Sequence, residues 1–198
     1  MSSLVCAPVE LEATLLGINC RPSEKREGWQ GFGECGSAVD VISEVLRSLC
    51  GCEDSVELGD GEWLRDFTSD SEPSFGLNSF ISFLVKRAGC PFSVLVVALI
   101  YLDRLKQDDP STTLSMFTIH RLFLTALLLA CKFLDDRGHG NLFFAQMVNC
   151  SLEEMNQLER AMLAKLRFKL FVSDKTFATY ASCLVSDLLP GSVMPMFI

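Results

Sequence analysis

The residues from Leu122 to Leu134 form an almost uninterrupted apolar segment, and this segment constrains the fold more than any other feature. Between Leu122 and Cys131 there is no charged residue, and Thr125 is the only polar side chain. A helix that is apolar on every side must be surrounded by protein or lipid. Its 13 residues are too few to span a bilayer, which requires about 20. The segment therefore predicts the central helix of an all-α domain, with Lys132 where that helix reaches the surface.

The composition indicates one compact domain with extensions. The chain has 198 residues, of which 49% are hydrophobic, and this is ample for a core. Its net charge of −8 argues against a nucleic-acid partner and against binding to an anionic membrane surface. Nine cysteines without a paired framework, and no segment resembling a signal peptide, predict free or buried thiols in a reducing compartment, the cytoplasm or nucleus.

The negative charge is concentrated in residues 51–74, which hold eight acidic residues and one basic residue. A solvated linker is one interpretation of this stretch. An electrostatic contact for a basic partner is the other, and the sequence leaves both open.

The rest of the chain can be divided into segments by whether apolar residues recur at helical spacing. Residues 1–37 show no sustained period and predict an irregular extension. Residues 38–49 have the pattern of a short amphipathic helix outside the main core, followed by the acidic stretch to residue 74. Residues 75–188 predict a compact five-helix domain plus a further C-terminal helix, and 189–198 a tail.

Local signals suggest where these helices begin and end. Capping residues, turn residues and a capping box of Ser and Glu three residues apart are expected at the helix termini. The signals are Asn78 and Gly89 for the first domain helix, Pro91 and Lys106 for the second, Ser115 and Asp135 for the third, Asn141 for the fourth, Ser151 and Glu154 for the fifth, and Ser173, Pro190 and Gly191 for the last.

Three of these segments resemble the cyclin box. The resemblance rests on the order and separation of Ala98-Leu99-Ile100-Tyr101-Leu102-Asp103-Arg104-Leu105, Ala130-Cys131-Lys132-Phe133 and Met155-Asn156-Gln157-Leu158-Glu159. Further motifs are similar to the P/U-type cyclins, the phosphate-regulation group: His120-Arg121-Leu122, Lys132-Phe133-Leu134-Asp135-Asp136 and Phe168-Lys169-Leu170-Phe171-Val172-Ser173. The resemblance covers about residues 75–188.

The resemblance implies a regulatory subunit and no enzyme. Cyclins bind a cyclin-dependent kinase and press on its mobile αC helix, whose glutamate must pair with the ATP-binding lysine. Neither catalytic residues nor a cofactor are implied. The first domain helix lacks the tryptophan-containing motif with which cell-cycle cyclins dock substrates, and a second cyclin box is absent from this sequence.

The resemblance also implies which residues bind the kinase. Lys132 and Glu159 match the lysine and glutamate that bind main-chain groups beside the kinase αC helix. Loss of one partner from such a buried pair costs about 2–5 kcal/mol. Asp103 matches a buried acid that supports the lysine. Apolar kinase contacts are expected at Leu129, Phe133, Leu163, Leu170 and Phe171.

Other functions have weaker support. The spacing Gly31-x-Gly33-x-x-Gly36 lacks the preceding strand of a dinucleotide site, and Cys50 and Cys52 lack the further ligands of a zinc site. A cyclin-fold scaffold outside kinase control remains an alternative, which nucleic-acid binding with a steep salt dependence would favour. A helical enzyme would need a polar pocket that the sequence does not indicate. We expect the kinase-free protein to self-associate, or to cover its apolar surface with residues 38–49.

Overall fold

The computed structural model describes residues 35–50, 62–69, 75–109, 114–134 and 139–187. Within these ranges the chain forms seven α-helices, one short 3₁₀ helix and no strand, which confirms the all-α prediction. The helices are α1 (Cys35–Leu49), α2 (Leu77–Ala88), α3 (Phe92–Asp108), α4 (Ile119–Leu134), α5 (Asn141–Val148), α6 (Leu152–Lys165) and α7 (Asp174–Asp187), and the 3₁₀ helix is Glu62–Phe67. None of the described helices combines the length and apolar character that crossing a bilayer requires.

The centre of the molecule is the contact between α3 and α4, the most extensive of all helix pairs. Every residue from Leu122 to Cys131 is buried, as the apolar pattern predicts. Helix α4 also contacts α2, α6 and the 3₁₀ helix. Neighbours on several sides explain why the sequence of α4 has no polar face.

Helix α1 belongs to this core, and the expectation that it lies outside the core is wrong. Its apolar side chains Val39, Ile42 and Leu46 are buried in the same cluster as those of α3 and α4. Helix α1 packs on α2 and α7, so it does not cover the surface at the end of α4 and the start of α6. The 3₁₀ helix buries Leu64 and Phe67 in the same core.

Three predicted helix ends are confirmed, at Ser151, Gly89 and Ser173, where the capping group bonds within its own helix or turn. The Ser151 hydroxyl accepts from the backbone N–H of Glu154 at 3.0 Å and caps α6. Gly89, in the left-handed conformation with φ of 59°, ends α2 as expected. Ser173 accepts from the N–H of Thr176 at 3.2 Å, at the start of α7.

The two asparagines predicted as caps have other roles. Gly76 and Gly140 are the N-cap residues of α2 and α5, and neither helix has a side-chain cap. Asn78 instead donates to Asp40 Oδ1 at 2.6 Å and to Ser43 Oγ at 3.1 Å, which joins α2 to α1.

Several sequence predictions fall outside the described residues. These concern residues 1–34, most of the acidic stretch, and residues 188–198 with Pro190 and Gly191. The domain boundaries at residues 37, 74 and 188 therefore remain predictions.

Candidate functional site

The two charged residues singled out in the sequence, Lys132 and Glu159, lie together. Lys132 is in the last turn of α4, and Glu159 is in the middle of α6, which packs against α4. The Lys132 ammonium lies 2.5 Å from Glu159 Oε1. The lysine side chain is 40% exposed and the glutamate side chain 14% exposed. The pair therefore lies at the protein surface, with the carboxylate more enclosed than the ammonium.

Asn141 completes this arrangement, and the sequence analysis missed this role. As the first residue of α5, it accepts from Lys132 Nζ at 3.0 Å through its side-chain oxygen. Its amide nitrogen donates to Glu159 Oε2 at 2.7 Å and to Asn156 Oδ1 at 2.6 Å. We call these four residues, Lys132, Asn141, Asn156 and Glu159, the Lys132 cluster. It joins three helices through side chains alone.

The predicted apolar contacts differ in their exposure. Phe133, directly after Lys132, is 47% exposed, and Phe171 is 74% exposed. Leu163 and Leu170 are half-buried and pack against the core. Leu129 is only 2% exposed, so the structure assigns it to the core and not to an accessible surface. The i, i+4 spacing places Leu129 and Phe133 on one face of α4, but exposure begins only at Lys132, after Leu129.

Phe168 is a further exposed aromatic residue, and the sequence did not single it out. It is 72% exposed, and both Phe168 (φ 57°) and Arg167 (φ 51°) have a left-handed backbone. Left-handed conformations are uncommon for residues with side chains of this size. This conformation reverses the chain after α6, and an exposed aromatic residue at such a turn has no sequence signal of its own.

Side chains of α3 form hydrogen bonds to the backbone of the segment that carries Phe168 and Phe171. The Tyr101 hydroxyl donates to the carbonyl of Leu170 at 2.9 Å. The Arg104 guanidinium donates to the carbonyls of Lys169 at 2.6 Å and Phe171 at 2.9 Å. Three bonds to consecutive carbonyls fix the backbone while the phenyl rings remain exposed.

Asp103 does not support Lys132, so that expectation is wrong. Its carboxylate accepts from the Tyr180 hydroxyl of α7 in a short hydrogen bond, and from Gln107 Nε2 at 2.5 Å. We call these three residues the Asp103 cluster. Burial raises the pKa of Asp103 above its ordinary value of 3.8, although Tyr180 and Lys106 oppose the change. The pKa of Tyr180 is raised, mainly by burial and to a lesser extent by the Asp103 carboxylate. The acid therefore joins α3 to α7.

Within the part of the chain that the structure describes, no group of His, Cys, Asp and Glu side chains could hold a metal ion. At the end of α4 and the middle of α6, the charged residues form an ion pair with ordered polar partners, and the exposed ring of Phe133 adjoins Lys132 in sequence.

Comparison with known proteins agrees with this description. The family model "Cyclin" matches residues 49–170. Cyclin-U4-3 of Arabidopsis thaliana is 35% identical over 152 residues, which cover 77% of this chain and 68% of that protein. Cyclin-U4-1 of the same plant is 38% identical over 118 residues, 60% of this chain and 58% of that protein. Cyclin-P4-1 of Oryza sativa subsp. japonica is 36% identical over 165 residues, 79% of this chain and 78% of that protein.

Cyclins are regulatory subunits without catalytic activity of their own, and this confirms the prediction that the chain is no enzyme. The matched region includes α2 to α6 and therefore both charged residues of the Lys132 cluster. The chain belongs to the cyclin family, and within it to the P/U-type cyclins.

Proposed function

We propose that this protein binds a cyclin-dependent kinase through the Lys132 cluster and the exposed aromatic residues Phe133, Phe168 and Phe171, and holds the kinase αC helix in its active position. Family membership implies the regulatory role. The single observation that supports this surface is the ordered ion pair of Lys132 and Glu159 at 2.5 Å, on two packed helices.

The Lys132 cluster has hydrogen-bonding capacity left for a partner. An ammonium group has three donors, and Lys132 uses two of them, on Glu159 and Asn141. Each carboxylate oxygen of Glu159 accepts one bond in the cluster and can accept another. Charge-assisted bonds of this kind are roughly twice as strong as neutral ones. The cluster could thus offer both a donor and an acceptor to main-chain groups of a kinase.

Exposed aromatic residues would supply the apolar part of the interface. Phe133 follows Lys132 in the chain, and Leu163 lies one helical turn after Glu159 on α6. Aromatic side chains are enriched at protein interfaces, and each buries about 150–250 Å². Phe168 and Phe171 add two rings on a backbone that Arg104 fixes. Little ordering of this backbone would then be needed on binding.

The proposed mechanism is positional. A protein kinase is active only when the αC glutamate pairs with the lysine that binds the ATP phosphates. A partner that binds the αC helix in that position shifts the kinase towards its active conformation. The cyclin would contribute a fixed surface and no reacting group.

The experiment is binding and activation with a panel of purified cyclin-dependent kinases. We expect the wild-type protein to bind at least one of them and to raise its activity on a peptide substrate. In Lys132→Ala, the carboxylate of Glu159 loses its cation, and we expect both association and activation to fall together with that same kinase.

Arg47→Ala is the matched control, because Arg47 forms an exposed ion pair with Glu44 at 3.1 Å on α1, away from the proposed surface. It should bind and activate as the wild type does. If Lys132→Ala binds and activates normally, the proposed surface is wrong. If no kinase of the panel binds the wild type, the proposed function itself fails.

Self-association of the kinase-free protein is a further part of this proposal. The exposed rings of Phe133, Phe168 and Phe171 would be covered in a complex and open without one. We expect light scattering to detect reversible dimers that the kinase dissociates. A monomer at all concentrations that binds no hydrophobic dye would contradict this.

A further inference from the structure

Two buried thiols face each other across the core. Cys90 lies in the turn between α2 and α3, and Cys131 lies in the last turn of α4, 41 residues later in the chain. Their sulfur atoms are 3.4 Å apart. The two residues are only 6% and 4% exposed, and neither is part of a disulfide. A pair at this distance is in direct contact, so neither thiol needs a distant partner in order to react.

We infer that Cys90 and Cys131 form an oxidisable pair, which hydrogen peroxide converts into a disulfide that links the turn before α3 to the end of α4. Two thiols and one peroxide give one disulfide and two molecules of water. One thiolate sulfur first attacks a peroxide oxygen, which forms a sulfenic acid and releases water after protonation. The second thiol then attacks the sulfenic sulfur, the S–S bond forms, and the second water leaves.

The geometry requires only a small movement. A disulfide has sulfur atoms about 2.05 Å apart, so the two atoms must approach by roughly 1.4 Å from the observed distance. Cys131 is held in the buried helix α4, whereas Cys90 lies in a short turn next to the exposed Gly89. The turn is therefore the part that moves. Its local opening also admits the oxidant, because short turns open more readily than packed helices.

The location of the pair connects oxidation to the proposed kinase surface. Cys131 immediately precedes Lys132 and Phe133. Strain from the new bond that the turn does not absorb acts on the last turn of α4, and it displaces the Lys132 ammonium relative to Asn141 and Glu159, which lie on other helices. This consequence depends on the proposed function, whereas formation of the disulfide does not.

Disulfide mapping tests the pair directly. The full-length protein is treated with hydrogen peroxide, remaining thiols are blocked, and non-reduced peptides are analysed by mass spectrometry. We expect a cross-linked peptide that contains Cys90 and Cys131, which dithiothreitol removes. Cys90→Ala and Cys131→Ala should each lack it. Cys183→Ala, which changes another buried cysteine, should retain it.

A kinase-binding assay measures whether the disulfide alters the proposed kinase surface. We expect peroxide to weaken binding of the wild type several-fold, dithiothreitol to restore it, and Cys90→Ala to bind equally with and without peroxide. Thiols that stay reduced, or that pair with other cysteines instead, would overturn the inference. A disulfide that forms without a change in binding would refute only the effect on the kinase surface.

Discussion

The molecule contains two carboxylate clusters that both join helices but are built in opposite ways. In the Lys132 cluster, Glu159 is paired with a cation and two amides at the surface, between α4, α5 and α6. In the Asp103 cluster, the carboxylate is bound by a phenol and an amide, between α3 and α7. Both carboxylates are partly buried, but one is bound within a charge pair and the other by neutral groups alone.

The difference separates recognition from stability. An ion pair near the surface contributes about 0–1 kcal/mol to folding, because water already solvates the exposed Lys132 ammonium. Loss of the acceptor in the Asp103 cluster leaves the partly buried Tyr180 hydroxyl unbonded, which costs about 1–3 kcal/mol. The Lys132 cluster can therefore serve a partner at little cost in folding free energy, whereas the Asp103 cluster serves to fix α7.

Glu159→Ala should produce the largest effect, and it should affect binding. Covering the Lys132 ammonium with a kinase after removal of its carboxylate leaves a charge buried and unpaired, which costs about 2–5 kcal/mol of binding free energy. We expect the free energy of unfolding to change by about 1 kcal/mol or less. Titration calorimetry and urea unfolding measure the two quantities. A large loss of stability with unchanged affinity would reverse the roles of the two clusters.

Asp103→Ala should have the next largest effect, and it should affect stability. Removal of the carboxylate leaves the partly buried hydroxyl of Tyr180 without its acceptor, so the free energy of unfolding should fall by about 1–3 kcal/mol. Asp108→Ala is the matched control on the same helix, because Asp108 forms only a surface ion pair with Arg167. Equal losses in the two variants, measured by urea unfolding, would contradict a structural role for Asp103.

The sequence predicts the fold better than it predicts these clusters. The apolar run of α4 and the Ser151 cap follow from spacing along one segment, and both are confirmed. Asn78 and Asn141 stand at the start of helices with apolar faces, a pattern that also suits a cap. Their actual partners lie on other helices, and the nearest in sequence to Asn141 is Lys132, nine residues away. Local patterns cannot distinguish an asparagine that caps its own helix from one that bonds a neighbouring helix.

Exposure is the second property that the sequence does not determine. Leu129 and Phe133 share a helix face, yet one is buried and the other is half exposed, because Phe133 lies in the last turn of α4. The resemblance to cyclins correctly pairs Lys132 with Glu159, since family motifs carry information about tertiary contacts. The same resemblance misplaces Asp103, whose partner Tyr180 lies in the additional helix α7, outside the five helices of the cyclin box.

Asn141→Ala tests whether the order of the Lys132 cluster matters for recognition. The variant leaves the charges of Lys132 and Glu159 in place but removes the amide that holds both. We expect kinase affinity to fall about tenfold, which corresponds to about 1.4 kcal/mol, the contribution of one to two hydrogen bonds. Gln146→Ala, at an exposed position of the same helix, should bind as the wild type does. If both variants retain full affinity, the ion pair needs no third residue.

The smallest expected effect is the pH dependence of the Asp103 cluster. The pKa of Tyr180 is raised in the folded protein above its ordinary value of 10.0, chiefly by burial. Above pH 10 the unfolded chain therefore loses this proton while the folded protein keeps it, so the unfolded state binds fewer protons and stability falls as pH rises. Tyr180→Phe cannot ionise at this position. Its free energy of unfolding should decline less steeply above pH 10 than that of the wild type, in urea titrations at matched pH.

The remaining decline in Tyr180→Phe should come partly from Tyr101, whose pKa burial also raises. Ionisation of Asp103 also makes the folded protein less stable as pH rises, but it does so in the acid range. Because its pKa is raised in the folded state, stability falls as pH rises from the ordinary value of 3.8 to the folded value. Identical alkaline slopes for Tyr180→Phe and the wild type would mean that the phenol is open to solvent. The contrast between the two carboxylate clusters would then lose its physical basis, since the partial burial of the phenol bound to Asp103 has no counterpart in the Lys132 cluster, where the partner is an exposed ammonium.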